Sequence, residues 1–335
     1  MRRRKMIWGW IFVLMLLFTF AGNSLAQVKQ EKEEKTFEPE KLQERPSEQK
    51  LSSAAAIFYG YDSNALLSPT RKGDTFQEVL YGLSFIKRWN SGFRFTFDYD
   101  LDVQTYNEIT QASSILNHFR VGLHEKFEHF LLGTGYDLGI SDYIKNDDGD
   151  FLFHKGFVYL RHFLTRKTYH QILVEAGLKD YDSRKALSDT IATYQNKELT
   201  ERRLSAEYSI GSMWTPRLFF GLRLRFSRND ANARYLDFYD YDSYEFAPGL
   251  RYEWTDKLEL LAQVNYLRKI YDSRTVTGGQ DIVIENIISP NCGLRYRLNQ
   301  NNTLTLLYIY RNDSSNEPLE EFNENVVSCG WQYNF

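Results

Sequence analysis

Residues 217–227 read RLFFGLRLRFS, and this stretch shows the pattern that decides the fold. Arg223 and Arg225 lie on one side of a two-residue repeat, and the other side is apolar at Leu218, Phe220, Leu222, Leu224 and Phe226. A period of two is that of a β-strand, whereas a helical stripe needs a period near 3.6. The stretch therefore predicts a strand with one apolar and one charged face.

The same alternation continues to the last residue of the chain. It is clear at residues 93–103, 258–269 and 327–335. Short turns, such as 90–92, alternate along the chain with longer polar loops, such as 183–200. The pattern predicts about fourteen strands in residues 53–335, which suits tilted strands with about ten membrane-embedded residues each.

The positions of the aromatic residues favour a membrane barrel over a soluble β-sandwich or jelly roll, which would also alternate. The 335 residues include 23 Tyr, 24 Phe and 6 Trp. Four Trp fall near predicted short turns or the chain end: Trp89, Trp214, Trp254 and Trp331. Seven Tyr fall near the long loops: Tyr61, Tyr106, Tyr143, Tyr181, Tyr241, Tyr271 and Tyr310. Two aromatic belts are typical of membrane interfaces, so we predict an all-β protein, a transmembrane antiparallel up-and-down β-barrel of about 14 strands.

The N-terminal region divides into two segments before the predicted barrel. Residues 1–26 have a basic start, an apolar run and a small-x-small site at Ser24-Leu25-Ala26, which predicts an export signal peptide cleaved after Ala26. Residues 27–52 alternate Lys with Glu and have almost no apolar face, which predicts a disordered periplasmic tether. The domains are therefore expected at 1–26, 27–52 and 53–335.

The end of the chain carries the most specific motif. Trp331, Tyr333 and Phe335 occupy alternate positions, with the aromatic Phe335 last. Here the sequence resembles the outer-membrane β-barrel proteins of Gram-negative bacteria, in which such a terminal strand is the assembly signal read by the barrel-assembly machinery. That resemblance implies an outer-membrane location, with the lipid bilayer and the assembly machinery as partners.

Two shorter motifs resemble particular groups within that class. Residues 60–64 (GYDSN) and 248–252 (PGLRY) look like the β-barrel porin group, many of whose members have no established substrate. The Tyr-Asp-Ser-Asn opening also occurs in the barrels of surface lipoprotein assembly modifiers. Those proteins carry a long helical-repeat periplasmic domain where this sequence has the charged tether.

The charged faces of the strands supply the candidate site, because strand alternation turns them toward the lumen. A ring of arginines is expected near the short-turn end: Arg88, Arg94, Arg251, Arg295 and Arg297. Arg120 and His124 are expected on a neighbouring wall. Carboxylates are expected at mid-depth or above, opposite Arg223 and Arg225: Asp98, Asp100, Asp102, Glu175 and Glu245. Rings of fixed charge set the selectivity of a pore, although such charges can also pair and close the bore.

Other reactive residues give weaker signals. His118, His124 and His154 are expected to point inward, but the sequence contains no recognisable nucleophile motif, so no enzyme, cofactor or metal is predicted. Cys292 and Cys329 are expected as free outward-facing thiols, separated by one strand. Pro248 and Pro290 fall inside strands, where we expect β-bulges.

These observations predict an outer-membrane, porin-like channel for passive passage of small hydrophilic, charged solutes. One alternative is a component of a surface export or assembly system for polysaccharide or lipoprotein, with a periplasmic partner bound through residues 27–52. A barrel hydrolase is a further alternative. No basic patch points to nucleic acid.

Overall fold

The computed structural model of the chain describes residues 47–335, apart from 191 and 192. Consecutive antiparallel strands form a closed barrel. The strands are β1 (Glu48–Asp62), β2 (Asp74–Arg88), β3 (Phe93–Tyr106), β4 (Ser114–Lys126), β5 (Phe130–Tyr143), β6 (Phe151–Phe163), β7 (Thr168–Leu187), β8 (Tyr194–Thr215), β9 (Leu218–Ala231), β10 (Tyr241–Glu253), β11 (Leu258–Thr275), β12 (Ile282–Arg297), β13 (Asn302–Ser315) and β14 (Phe322–Asn334). The predicted fold class and the count of fourteen strands are confirmed.

The connections define the two ends of the barrel. The short-turn end holds 89–92, 127–129, 164–167, 216–217, 254–257 and 298–301. The long-loop end holds 63–73, 107–113, 144–150, 188–193, 232–240, 276–281 and 316–321. The predicted alternation of short and long connections is confirmed. The helices that the structure describes are single 3₁₀ turns, and within those residues no helix is long and apolar enough to cross a membrane.

The first and last strands close the barrel at one seam. Pairing runs from Ala54 opposite Asn334 to Asp62 opposite Val326. Because β1 begins at Glu48, the predicted boundary at residue 53 falls inside this strand, whose first residues pair with β2 alone. The predicted signal peptide and residues 27–46 of the predicted tether lie outside the described residues.

The two strand prolines do not produce the predicted bulges. At Pro248 the pairing between β10 and β11 skips two residues of β10 and resumes in the same register, and at Pro290 the pairing between β12 and β13 does likewise. A missing N–H therefore interrupts the pairing on one side without inserting a residue. Register shifts occur elsewhere, including β11 between Ile270 and Thr275.

The outward face is apolar along its middle and carries tryptophans near the short turns. Trp214 and Trp254 are both 64% exposed, and Trp89 and Trp331 are also exposed. This placement matches the predicted tryptophan belt. Cys292 and Cys329 are exposed on the outward faces of β12 and β14, with β13 between them, as predicted.

The predicted tyrosine belt at the long-loop end is wrong for five of its seven members. Tyr61 is exposed on the outward face. Five others point inward and are buried: Tyr106, Tyr143, Tyr181, Tyr241 and Tyr271. Three of these pack with Leu187, Leu199, Phe238 and Tyr239 in an apolar core beneath the long loops, which we call the loop core: Tyr181, Tyr241 and Tyr271. A tyrosine at a strand end fits a lipid interface or a loop equally well, and only the strand register separates the two.

Candidate functional site in the barrel lumen

The inner face of the barrel carries every arginine, aspartate and glutamate that was predicted to line the lumen. Cross-strand register places the members of this set on the inward side of their strands: Arg88, Arg94, Asp98, Asp100, Asp102, Arg120, Glu175, Arg223, Arg225, Arg251, Arg295 and Arg297. His118, His124 and Glu245 also point inward. Their role in selectivity stays a prediction.

His154 lies on the outward face, so its predicted inward orientation is wrong. Its ring contacts the hydroxyl of Tyr136, which is itself exposed on β5. The inward side of β6 carries Lys155 together with several aromatic residues: Phe151, Phe153, Phe157 and Tyr159. With aromatic side chains facing the interior, the apolar pattern of β6 does not identify its outward face.

A continuous chain of ion pairs runs along the inner wall across β4 to β9. Asp137 is fully buried and accepts from Arg120 Nε at 2.6 Å, and its other oxygen lies 2.9 Å from Lys155 Nζ. Lys155 also contacts Glu175 at 2.8 Å. Glu175 in turn lies 3.1 Å from Arg225, which contacts Glu207 at 2.8 Å. We call these six residues the ion-pair chain.

The ion-pair chain forms because its members lie on neighbouring strands at nearly the same level. Arg120 stands opposite Asp137, and Asp137 stands opposite Lys155. Each buried charge therefore meets an opposite charge about one strand spacing away, which offsets the cost of removing it from bulk water. Sequence reasoning identified Arg120, Glu175 and Arg225 but missed Asp137, Lys155 and Glu207.

The other mid-depth charges also have partners close to their own strands. Arg223 bonds to Glu245 on the adjacent β10 at 2.5 Å. Asp98 accepts from Ser84 Oγ on the adjacent β2 at 2.6 Å. Asp100 lies 4.0 Å from His118 on β4.

The predicted arginines near the short-turn end are tied to their surroundings. Arg88 contacts Glu48 at 3.3 Å, and Arg295 contacts Glu259 at 3.3 Å. The Arg251 guanidinium lies 5.2 Å from the centre of the Phe219 ring. Arg297 donates to the carbonyl oxygen of Asp256 at 3.3 Å. These arginines form a basic zone at this end of the lumen, and their partners include the strand carboxylates of Glu48 and Glu259 and the short-turn carbonyl of Asp256.

A group of buried acids lies at the opposite, long-loop end, and sequence reasoning identified only Asp102 among them. The others are Asp62, Glu78, Glu285, Asp313, Glu317, Glu320 and Glu324. Three cations accompany them: Lys269 lies 2.7 Å from Glu285, Arg311 lies 3.2 Å from Glu324, and Arg274 contacts Glu320. We call these carboxylates the acidic zone. Acids outnumber bases in it, whereas arginines predominate at the other end.

Part of the inner wall is apolar. Ala56, Phe58 and Leu80 form a buried cluster with Leu307 packed against it. These residues come from β1, β2 and β13, whereas the ion-pair chain spans β4 to β9. This apolar cluster therefore lies on different strands from the ion-pair chain, although β1, β2 and β13 also carry members of the acidic zone. No group of three or more His, Cys, Asp or Glu among the described residues is arranged to hold a metal ion.

Comparison with known proteins identifies the fold. No family model matches the chain. No curated protein matches it significantly. Outer-membrane expressed OmpT of Vibrio cholerae has a similar structure, with a TM-score of 0.53 at 10% identity over 88% of this chain and 100% of that chain. The trimer form of in-vitro folded OmpT from the same organism has a TM-score of 0.52 at 10% identity, over 87% of this chain and 100% of that chain. An anion-selective porin from Comamonas acidovorans has a TM-score of 0.49 at 8% identity, over 86% of this chain and 100% of that chain. The likeness to the two OmpT structures therefore shows that the chain has the fold of an outer-membrane β-barrel protein, as the sequence predicted.

Proposed function

We propose that the barrel spans a bacterial outer membrane and acts as a passive channel for small hydrophilic, charged solutes. The observation that carries this proposal is the partial exposure of inward-facing charges at mid-depth. The side chains of Lys155, Arg223 and Arg225 point into the barrel and are 20%, 24% and 29% exposed to solvent. Charged groups that retain contact with solvent inside a barrel support a hydrated passage.

The lengthwise separation of charge supports a preference among solutes. A solute entering from the long-loop end meets the acidic zone, then the ion-pair chain, and last the basic zone of Arg88, Arg94, Arg251, Arg295 and Arg297. Such fixed charges act on passing ions because the surrounding wall has a low dielectric constant. We expect the channel to pass ions asymmetrically when the voltage is reversed.

Planar-bilayer recording of the purified barrel tests the proposal. Stepwise conductance is expected, and Arg223→Ala and Asp100→Ala should shift the reversal potential in a salt gradient in opposite directions. Arg166→Ala, a change at an exposed short turn, is the matched control and should leave the reversal potential unchanged. Silence at high voltage from barrels that are demonstrably folded would contradict a channel function.

A further inference from the structure

Three arginines on the outward face lie directly beyond the apolar middle of the barrel, toward the long loops. Arg202 lies two residues from Leu204 on the long-loop side, and Leu204 is 57% exposed on the outward face. Arg228 lies two residues beyond Phe226, which is 42% exposed, and Arg268 lies two residues beyond Tyr266. We call Arg202, Arg228 and Arg268 the outer arginine patch.

Strand register shows that the patch is contiguous across β8 to β11. Arg228 stands opposite Leu204 of β8, and Tyr244 of β10 stands opposite Phe226 of β9 and Arg268 of β11. Tyr244 is 48% exposed and lies between the arginines. At comparable outward positions elsewhere the strands carry uncharged or acidic residues, such as Tyr61, Asn325, Asp142 and Asp180.

The three arginines differ in how their charge is satisfied. Arg228 contacts Asp230 at 2.9 Å, Asp242 at 3.5 Å and also Asp272. The side chains of Arg202 and Arg268 are exposed, and neither guanidinium has an ion pair or hydrogen bond to a residue that the structure describes. The patch therefore offers two guanidinium groups that no described carboxylate contacts as an ion pair, although Asp230 stands directly opposite Arg202.

We propose that the outer arginine patch binds the phosphorylated headgroup of a lipid in the outer leaflet. This inference rests on the membrane insertion proposed above. A guanidinium bonds phosphate oxygens in a bidentate manner, and a long side chain can lay its stem on apolar surface while its head reaches the polar layer. Tyr244 is of the type that occupies membrane interfaces.

The spacing indicates the size of the headgroup. Arg202 and Arg268 lie on strands three spacings apart, about 14 Å along the sheet at about 4.8 Å per strand. One phosphate contacts one of these arginines, whereas a headgroup with two phosphates on a disaccharide has the reach to approach both through their flexible side chains. We therefore assign the patch to a lipid carrying two phosphates.

The test measures binding of bis-phosphorylated lipid A to the full-length folded protein in detergent by native mass spectrometry. Arg202→Gln/Arg268→Gln should weaken binding by about tenfold or more, as loss of a charge-assisted hydrogen bond implies. Arg166→Gln/Lys167→Gln removes the same charge at an exposed short turn and should not change binding. Equal affinity of the two double variants would overturn the proposal, provided that heat-modifiable migration shows both barrels folded.

Two further probes identify what is recognised. Dephosphorylated lipid A should bind the unsubstituted protein about tenfold or more weakly, and equal binding would assign the contact to the acyl chains. Inorganic phosphate should not compete at millimolar concentration, and competition would assign a free-phosphate site. A barrel that binds the lipid yet stays silent in planar bilayers would refute the channel and leave the lipid site standing.

Discussion

At the scale of single residues, two buried aspartates show how the same group can strengthen or weaken the barrel. Asp137 and Asp313 both point inward and are 0% and 3% exposed. Asp137 bonds to Arg120 and Lys155, whereas neither oxygen of Asp313 has a hydrogen-bond partner among the described residues. Replacing each carboxylate by an amide should therefore have opposite effects on stability.

Asp137→Asn should lower the free energy of unfolding by about 3 kcal/mol, because it leaves Arg120 and Lys155 beside a buried neutral amide that also presents N–H donors to them. Urea unfolding of the refolded barrel, followed by intrinsic fluorescence, measures this. A loss below about 0.5 kcal/mol would show that the ion-pair chain is hydrated and contributes little.

Asp313→Asn should leave the free energy of unfolding unchanged or raise it by about 1 kcal/mol, because it removes an unpaired carboxylate from an acidic neighbourhood. Urea unfolding of the Asp313→Asn barrel measures this change in the free energy of unfolding. A loss comparable to that of Asp137→Asn would mean that the Asp313 carboxylate has a stabilising partner, such as a bound cation.

Single residues also show why part of the site escaped sequence reasoning. Alternation placed Arg223 and Arg225 on the inward face because Leu222, Leu224 and Phe226 mark the outward face of β9. It failed for His154, because β6 has aromatic residues on its inward side. Which charges form pairs depends on which strands are neighbours. Glu324 lies near Asp62 across the seam, although the two residues are 262 positions apart in the sequence. No local sequence pattern predicts that contact.

At the scale of elements, the seam between β1 and β14 depends on a small residue. A Cβ added to Gly330 would lie 2.2 Å from Cδ1 of the Phe58 ring, so a side chain at this position requires the ring to move. The apolar cluster of Phe58, Ala56 and Leu80 therefore packs against the backbone of the last strand.

Gly330→Val should destabilise the barrel by about 2 kcal/mol through overpacking, and Phe58→Ala in the same chain should recover part of that loss. A double-mutant cycle of unfolding free energies measures the coupling. Additive effects of the two changes would contradict the packing at the seam.

The loop between β9 and β10 carries a titrating group outside the strands. Asp240 accepts from the Ala231 backbone N–H at 2.6 Å. Burial raises the pKa of its carboxyl from 3.8 to about 6, and Asp230, Asp237 and Asp272 act in the same direction. The folded loop therefore holds a proton more tightly than the unfolded loop does.

A raised carboxyl pKa gives a stabilising contribution that is complete below about pH 4 and is lost as the pH rises through about 6. Amides of residues 232–240 should thus show higher hydrogen-exchange protection factors at pH 5 than at pH 7.5. Asp240→Asn should flatten this difference, whereas Asp281→Asn in the exposed part of another loop should not. An equal pH dependence in both variants would assign the effect to other groups.

At the scale of the whole molecule, closure of the barrel makes a covalent prediction. Tyr59 of β1 stands directly opposite Cys329 of β14, and both face outward. Directly opposed residues of antiparallel strands have Cα atoms about 4.5–5.5 Å apart, within disulfide range. Tyr59→Cys should therefore form a disulfide with Cys329 under mild oxidation.

The unsubstituted protein supplies the control, because Cys292 and Cys329 are separated by β13 and should stay reduced. Intact mass and non-reducing electrophoresis distinguish the two outcomes. Oxidation of the unsubstituted pair would contradict the placement of β13 between β12 and β14, and failure of Tyr59→Cys to cross-link in folded protein would place the seam elsewhere.

The global architecture was more predictable than the chemistry inside it. Alternation, connection lengths and the terminal Trp331, Tyr333 and Phe335 are local signals repeated along the chain, and together they predict a fourteen-stranded barrel. The loop core and the acidic zone depend on how long loops fold back and on which strand ends meet. Tyr181, Tyr241 and Tyr271 were assigned to the wrong surface for that reason.

The strands differ in length, with 22 residues in β8 and 13 in β10. Residues 194–200 of β8 lie beyond its pairing with β9, so the hairpin of β7 and β8 extends past β9 at the long-loop end, with Leu187 and Leu199 buried in the loop core. Antibodies raised against the folded protein should recognise this hairpin preferentially, and a phage that adsorbs to the protein would make its first contact there.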